Sequence, residues 1–347
     1  MEVKLSNNRI NLHEIPIVSS IDKNYVSIYS AFLASAISHI NTNRNYKFIL
    51  LVDDVPDYMI FALQKQVMHL SNVSLDVINM NNVIIKSNSE NIIDFPRAAS
   101  FRLYTPKLFP QYEKIIYIDA DVIVMHDLAE LFDVVLDKYA AVVLDYVING
   151  QINTKKYKTL FVNNYCNAET YYIKYCGLNQ RLLNKYFNSG VMLLNLNRLR
   201  KENIMSRCLI MLQDKKFAYP DQDILNVLFN GEVLILPQEW NFIPCSRTDY
   251  HFSYEITKQR VHAISCLKVI HFAGNKPWEY HKNIQFEELF WLFARKSVYY
   301  EKLLENKNNK IYKYLWILKN NFLLKLIKIK FPSLYLIVKK MYKKIKA

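Results

Sequence analysis

The sequence predicts an α/β protein with a mostly parallel central sheet. Two observations lead to this prediction: apolar strands alternate with amphipathic helices over residues 14–145, and the strands are apolar on both faces. Ligands of such sheets bind beyond the carboxyl ends of the strands. Half of the 347 residues are hydrophobic, so the chain is long and apolar enough to bury a large core.

The predicted elements follow in order along the chain. Helical spacing of apolar residues predicts a helix over residues 26–40, and Pro56 opens a second helix that runs through Met68. Residues 150–183 are polar, aromatic and irregular, and either a substrate-covering insertion or a surface excursion would account for them. The predicted strands are residues 15–18, 48–52, 75–78, 115–118, 140–144, 191–196 and 268–272, and two later helices are residues 199–215 and 221–229.

Two carboxylates, Asp119 and Asp121, follow the apolar strand at residues 115–118. Alternate side chains of an extended chain point the same way, so the two carboxylates can converge on one cation. Without a partner, two adjacent buried carboxylates would repel each other, and a divalent metal removes that repulsion. The alternative is that both residues belong to a turn or cap a helix.

A second segment, far downstream, adds an imidazole at His271, a glycine at Gly274 and a cation at Lys276. Taken alone, His271 would be read as a core histidine, but the glycine, lysine and aromatic residue that follow it favour a site for a metal-bound diphosphate. Two carboxylates and one imidazole suit Mn²⁺ better than Mg²⁺, although Mg²⁺ remains an alternative. Lys276 and the backbone N–H of Gly274 would approach the diphosphate.

The net charge of +14 is concentrated at the C-terminal end. Residues 306–347 contain twelve lysines and no Asp, Glu or Arg, so the rest of the chain is nearly neutral. This distribution argues against nucleic-acid binding by the whole protein. We predict a catalytic domain over residues 1–300 and a basic amphipathic tail over residues 301–347. The apolar stripe of the tail is Ile311, Leu315, Leu318, Phe322, Leu326 and Ile329.

This tail suits an anionic membrane surface. A nucleic-acid or ribosomal contact and a solvated basic face are the alternatives. The five cysteines form no CxxC pair and predict reduced thiols in a cytoplasmic protein. The polar start of the sequence does not resemble a signal peptide. We therefore expect a cytoplasmic protein at the inner face of the membrane.

Six motifs, in order from about residue 14 to about residue 280, resemble those of glycosyltransferase family eight. The motifs are residues 20–25 (SIDKNY), 102–106 (RLYTP), 117–121 (YIDAD), 186–190 (YFNSG), 221–226 (DQDILN) and 271–278 (HFAGNKPW). The resemblance implies a GT-A fold, a UDP-sugar donor, Mn²⁺ dependence and retention of anomeric configuration. Two departures are Lys23, where some members carry an acid, and a shorter spacing between Gly274 and Lys276.

The resemblance also implies roles for individual residues. The metal ligands would be Asp119, Asp121 and His271. The donor nucleotide and diphosphate would contact Ser20, Asp22, Asn24, Tyr25, Arg102, Ala120, Gly274 and Lys276. The transferred hexose would be surrounded by Asp145, Asn188, Asp221 and Gln222. Ordinary structural roles remain open for three of these, because Asp22 and Asp221 could cap helices and Arg102 could lie at the surface.

An amide such as Gln222 is a poor nucleophile, so we expect a front-face reaction in which the acceptor hydroxyl attacks from the side that UDP leaves. Gln222 would stabilise the oxocarbenium-like charge. A double displacement would require a carboxylate there, and Asp221 or Asp223 keeps that route open.

We therefore expect transfer of glucose or galactose from a UDP-sugar to a lipopolysaccharide, lipooligosaccharide or other surface glycan. The alternatives are a nucleotidyltransferase of similar fold and a non-catalytic membrane or nucleic-acid adaptor. The first would need a glycine-rich phosphate loop that the sequence lacks, and the second would not need intact Asp119, Asp121 and His271.

Overall fold

A seven-stranded sheet forms the centre of the protein, with its strands in the order β10-β6-β9-β4-β1-β2-β3. The computed structural model describes residues 14–41, 43–83, 97–154, 158–161, 164–167, 169–214, 217–245, 254–279 and 283–308. The strands are β1 Glu14–Asp22, β2 Asn45–Asp53, β3 Val73–Asn79, β4 Lys114–Ile118, β5 Val122–Val124, β6 Ala140–Leu144, β7 Lys158–Phe161, β8 Asn164–Asn167, β9 Phe187–Asn195, β10 Val233–Leu236 and β11 Val269–His271.

The helices cover both faces of this sheet. They are α1 Val26–Ile37, α2 Asp57–Val67, α3 Thr105–Leu108, α4 Ala129–Phe132, α5 Tyr146–Thr154, α6 Leu196–Lys201, α7 Ile204–Asp214, α8 Pro220–Phe229, α9 Tyr254–Ser265, α10 Glu287–Ala294 and α11 Tyr300–Asn308. Short 3-10 helices occur at Lys23–Tyr25, Arg97–Tyr104, Gln180–Lys185 and Gln238–Asn241, and a π-helix occurs at Thr170–Cys176.

The predicted mostly parallel sheet is confirmed. Strand β1 pairs in parallel with β2 and β4, β2 with β3, and β10 with β6, whereas β9 runs antiparallel between β4 and β6. The strand β1 is longer than predicted and continues to Asp22, so Ser20 lies in the sheet and not in a loop. Hydrogen bonding to β2 along its whole length accounts for the extension.

The short ribbon of β5 and β11 lies outside the main sheet and positions the predicted metal ligands. Val122, at the start of β5, pairs with His271, at the end of β11. The backbone N–H of Phe272 donates to the carbonyl of Asp121 at 2.9 Å. Residues separated by about 150 positions in the sequence are therefore held side by side by backbone hydrogen bonds.

Two predictions for the second half of the chain need correction. Part of residues 150–183 belongs to the core, since Tyr171 and Tyr172 are almost fully buried, which a surface excursion alone does not account for; that the segment covers substrate stays a prediction. The helix predicted at residues 199–215 is two helices, α6 and α7. The break lies at Asn203, whose φ of 50° is left-handed and therefore incompatible with a continuous helix.

The last described helices, α10 and α11, pack on α1. Leu303 of α11 is fully buried, and Lys307 Nζ lies 2.5 Å from Glu287 Oε1. The described fold thus continues to Asn308, past the predicted domain boundary at residue 300, and the predicted apolar stripe from Ile311 onward lies outside the described residues. Among the described helices, none combines the length and the apolar composition needed to cross a bilayer.

Candidate active site

The three predicted metal ligands converge where β4 ends. One ligand atom from each of Asp119, Asp121 and His271 lies within 4.8 Å of the others. The imidazole Nε2 of His271 is 3.2 Å from Asp121 Oδ1 and 3.9 Å from Asp119 Oδ2. Two carboxylate oxygens and one ring nitrogen at this spacing fit a divalent cation.

The two carboxylates have different electrostatic environments. Burial raises the pKa of Asp119 to about 6. Arg102 acts to lower this pKa, and the nearby Asp121 charge acts to raise it. Burial acts in the same direction on Asp121, but Lys276 and His271 outweigh it and hold the pKa of Asp121 well below its usual range. Lys276 Nζ donates to Asp121 Oδ2 and, at 2.6 Å, to the carbonyl oxygen of Phe272.

Arg102 joins Asp119 of the proposed metal ligands to Asp221 and Ser189. Its Nη2 donates to Asp119 Oδ1 at 2.8 Å, and its Nε lies 2.8 Å from Asp221 Oδ2. Its Nη1 donates to the carbonyl oxygen of Ser189 at 2.6 Å. Burial opposes the charge of Arg102, but the Asp119 and Asp221 carboxylates outweigh it and raise the pKa of Arg102. The alternative reading of Arg102 as a surface residue is wrong, because only 5% of it is exposed.

Asp145, Asn188 and Gln222 form a hydrogen-bonded group on the other side of the cavity. Asp145 Oδ2 accepts from Asn188 Nδ2 at 3.0 Å and from Gln222 Nε2 at 3.2 Å. Gln222 Oε1 accepts from the backbone N–H of Ser189 at 3.0 Å. Burial raises the pKa of Asp145, against these hydrogen bonds. Gln222 is therefore held by both ends of its amide, with its orientation fixed.

The two carboxylates beside Gln222 differ in their access to the cavity. Asp221 lines it, although its carboxylate is bound by Arg102 and, at 3.2 Å, by the hydroxyl of Ser189. Asp223 is not among the lining residues of the described chain. Its carboxylate accepts from the hydroxyls of Tyr186 at 2.5 Å and Tyr171 at 2.6 Å. This geometry leaves Asp221 as the carboxylate that a double displacement would use.

The predicted base-binding residues lie at the end of β1. Asp22 Oδ1 accepts from the backbone N–H of Asn24 at 2.8 Å and of Tyr25 at 3.2 Å, so Asp22 caps the short 3-10 helix. Ser20 Oγ is 2.6 Å from the hydroxyl of Tyr117. Lys276 acts to lower the pKa of Tyr25, but burial and the Asp121 charge raise it to about 12.

A cavity of about 350 Å³ connects the three proposed metal ligands with Arg102, Asp221 and the group of Asp145, Asn188 and Gln222. Nine predicted residues line it: Arg102, Asp119, Asp121, Asp145, Asn188, Asp221, Gln222, His271 and Gly274. The other six predicted residues, Ser20, Asp22, Asn24, Tyr25, Ala120 and Lys276, lie outside the described lining. The side chain of Ala120 packs in the hydrophobic core.

Sequence reasoning missed three residues of the site. Ser189 accepts a hydrogen bond from Arg102 and lines the cavity. Gly190 lies so close to the proposed metal ligands that a Cβ there would be 2.2 Å from His271 Cε1. Both belong to the recognised motif at residues 186–190, which was the available signal. Asn241 contacts His271 Nδ1 at 2.9 Å, and no motif marks it.

Comparisons with known proteins agree with this geometry. The family model described as "Glycosyl transferase family 8" matches residues 16–282. Glycosyltransferase GlyB of Streptococcus pneumoniae is 26% identical over 80% of this chain and 61% of its own length. A lipopolysaccharide 1,2-glucosyltransferase of Escherichia coli is 26% identical over 84% of this chain and 82% of its own length.

Among solved structures, the apo bifunctional glycosyltransferase WbbM superimposes with a TM-score of 0.75 at 27% identity and covers 86% of this chain. The chain spans 61% of the length of GlyB and 53% of that of WbbM. Since the family model covers most of the sequence and the fold, the cavity and the acidic pair agree with it, the chain belongs to glycosyltransferase family 8.

Proposed function

We propose that this protein is a Mn²⁺-dependent, retaining hexosyltransferase. It moves glucose or galactose from a UDP-sugar to a lipopolysaccharide, lipooligosaccharide or other surface glycan. The name of the Escherichia coli relative supports both the glucosyl transfer and the acceptor class. The observation that carries the proposal is the convergence of Asp119, Asp121 and His271 on one cavity, where the buried Arg102 pairs with Asp119 and the half-buried Lys276 pairs with Asp121.

The donor diphosphate would bind at this group. Bound Mn²⁺ would supply a Lewis acid that neutralises the charge on the departing UDP. Lys276 would donate to a phosphate oxygen, a charge-assisted contact for which it is already oriented by Phe272. A Cβ on Gly274 would meet no atom within 4 Å, so the turn leaves room for the diphosphate.

The sugar and the base would bind on opposite sides of the metal. Asp145, Asn188 and Asp221 present oxygens and amides that suit hexose hydroxyls, and Arg102 would reach the sugar or phosphate. At the end of β1, Asn24 is exposed, and Asp22 has a second carboxylate oxygen in addition to the one that caps the helix. Asp22, Asn24 and Ser20 would contact the uracil, Tyr25 would stack on it, and Ala120 would contact the nucleotide through its backbone.

The reaction would proceed on one face of the sugar. The acceptor hydroxyl attacks the anomeric carbon from the side that UDP leaves, and a diphosphate oxygen takes its proton. Gln222 would stabilise positive charge on the sugar with the amide oxygen that Ser189 holds in place. The carboxylate of Asp221 is the alternative, as the nucleophile of a double displacement.

The test is hydrolysis and transfer with a panel of UDP-sugars, with and without Mn²⁺. We expect Mn²⁺-dependent release of UDP from UDP-glucose or UDP-galactose, and we expect Asp121→Ala to lower the rate at least about 100-fold. Asp133→Ala is the control, because Asp133 pairs with Arg44 at the surface and does not line the cavity. Release of pyrophosphate from nucleoside triphosphates would favour a nucleotidyltransferase instead, and Mn²⁺-independent turnover would contradict the metal site.

The lysine-rich residues 306–347 would hold the enzyme on the cytoplasmic face of an anionic membrane. This attachment would keep the active site in the plane of a lipid-linked acceptor. We expect no nucleic acid among its partners, because most of the net positive charge lies in this segment and the rest of the chain is nearly neutral.

A further inference from the structure

A chain of side-chain amides runs behind the metal-binding group, from β9 to His271. Asn188 and Asn241 are 6% and 1% exposed, so their hydrogen bonds face no competition from bulk water. Asn241 Nδ2 lies 2.9 Å from Asn188 Oδ1, and Asn241 Oδ1 lies 2.9 Å from His271 Nδ1. None of the proposed catalytic steps uses Asn241.

The direction of this chain is fixed by a backbone group. The N–H of Gly190 lies 2.9 Å from one side-chain atom of Asn188, and because an N–H can only donate, that atom must be the amide oxygen. The same oxygen of Asn188 faces Asn241, so Asn241 must present its NH₂ group there. Its oxygen then faces His271 Nδ1, which must carry a proton, because two acceptors at this distance would repel each other.

We propose that Asn241 is a positioning residue that keeps a proton on Nδ1 of His271. With Nδ1 protonated, the lone pair of the neutral ring is on Nε2, the nitrogen that faces Asp119 and Asp121. A ring protonated on Nε2 would have no lone pair to offer a metal there. The backbone of β9 thus sets the tautomer of a ligand on β11 through two asparagines. The role toward a metal rests on the proposed function, but the tautomer does not.

The first experiment reads the tautomer by NMR in the full-length, metal-free protein. With ¹⁵N-labelled histidine, each ring nitrogen is read as protonated or unprotonated, and a His271→Gln spectrum identifies the signal among the eight histidines. We expect Nδ1–H in the native protein. In Asn241→Leu, we expect Nε2–H, donated to Asp121. Asn241→Asp, which still offers an acceptor, should retain Nδ1–H.

Asn226→Leu is the matched control, because Asn226 is 4% exposed and uses both amide atoms, but its partners are Phe187 and Gln222 and not His271. Its spectrum should keep the native tautomer. An unprotonated Nδ1 in the native protein would overturn the proposal, and that result needs no variant to fold. The same tautomer in the native and Asn241→Leu proteins would overturn it too.

The second experiment titrates Mn²⁺ alone and measures free Mn²⁺ by electron paramagnetic resonance. We expect Asn241→Leu to bind Mn²⁺ about 10- to 100-fold more weakly than the native protein, and Asn226→Leu to bind it as the native protein does. Equal affinity of native and Asn241→Leu proteins would overturn the role of Asn241 toward the metal. A native protein that binds no Mn²⁺ would instead overturn the proposed function, while the tautomer measurement still decides the role of Asn241.

Discussion

Gly190 is the residue at which β9 comes closest to the metal-binding group. A Cβ at this position would lie 2.2 Å from His271 Cε1 and 2.8 Å from Asp119 Oδ2. Both atoms belong to side chains held by other contacts: Arg102 binds Asp119, and Asn241 binds His271. The clash therefore has to be relieved by moving a proposed ligand.

We predict that Gly190→Ala strongly weakens metal binding but leaves the protein folded. Overpacking of this kind costs about 1–3 kcal/mol of stability, which a domain of this size tolerates, whereas displaced ligands should weaken Mn²⁺ binding at least about 100-fold. Calorimetric titration with Mn²⁺ and urea unfolding measure the two effects. If the Gly190→Ala variant binds Mn²⁺ as tightly as the native protein, the proposed ligands are not packed against Gly190 and the prediction is wrong.

Arg102 offers a second prediction, because three separate groups depend on its planar guanidinium. A lysine keeps the charge but cannot donate to Asp119, Asp221 and Ser189 together, so Asp221 would remain buried without its partner. We predict that Arg102→Lys lowers the free energy of unfolding by about 2–3 kcal/mol. Urea unfolding at neutral pH measures it.

Arg44→Lys is the control for this prediction. Arg44 also makes a two-pronged contact, with Asp133 at 2.9 and 3.1 Å, but both side chains are partly exposed. Arg44→Lys should lower the free energy of unfolding by less than about 0.5 kcal/mol. If both variants lose the same free energy of unfolding, burial of the Arg102 contacts does not add to their contribution to stability.

At the scale of elements, Asp223 ties helix α8 to Tyr171 of the π-helix Thr170–Cys176 and to Tyr186, the residue just before β9. Burial raises the pKa of this carboxyl from 3.8 to about 6, although the hydroxyls of Tyr171 and Tyr186 act to lower it. Between those two pH values the folded protein keeps a proton that the unfolded chain has lost. The stabilisation from this group is therefore full below about pH 4 and is lost as the pH rises through about 6.

We predict that Tyr186→Phe makes this loss larger. Without the Tyr186 hydroxyl, the ionised form of Asp223 loses a hydrogen bond, so the variant should be less stable than the native protein by about 2 kcal/mol at pH 8 and by about 1 kcal/mol at pH 5. Urea unfolding at both pH values measures the difference. The control is Tyr139→Phe, which removes a hydrogen bond from the Tyr139 hydroxyl to Glu202. This hydrogen bond is the main cause of the lowered pKa of Glu202, so Glu202 is ionised at both pH values. The variant should therefore lose the same amount of stability at pH 5 and at pH 8.

The elements also show which features of the fold the sequence could and could not predict. Strands were predictable where long apolar runs mark them, as at β4 and β6, and the acidic pair after β4 was predictable as a site because of its spacing. The antiparallel direction of β9 was not, since strand direction depends on pairing partners far along the chain. Asn203 gave no signal of a break, because asparagine also occurs inside helices.

The site was predictable for residues that carry charge within a motif, such as Asp121 and His271. Asn241 was not, because an isolated asparagine before a phenylalanine resembles many turn residues, and only the fold brings it to His271. Gly190 was overlooked as a contact of the ligands for the same reason: its requirement for a missing Cβ comes from side chains that reach it from β4 and β11.

At the scale of the whole molecule, the position of charge matters more than its total. Residues 1–305 are nearly neutral, and α11, the last described helix, packs on α1 with Leu303 fully buried. Of the twelve lysines in residues 306–347, Lys307 lies in α11 and the other eleven follow it in the sequence. An anionic surface would therefore attract this segment more strongly than the rest of the chain.

We predict that this segment controls binding to anionic vesicles. Reversing the lysine pairs 339–340 and 343–344 to glutamate in the full-length protein removes four attractive charges and adds four repulsive ones, each worth about 1 kcal/mol at most near such a surface. In co-sedimentation with phosphatidylglycerol vesicles, the affinity of the variant should be at least about 100-fold weaker, while Mn²⁺-dependent UDP-sugar hydrolysis stays at the native rate.

The control reverses four exposed lysines of the body, Lys185, Lys201, Lys258 and Lys296, and so changes the net charge equally. Equal losses in the two variants would assign binding to net charge, and unchanged co-sedimentation of the tail variant would rule out these lysines as the attachment.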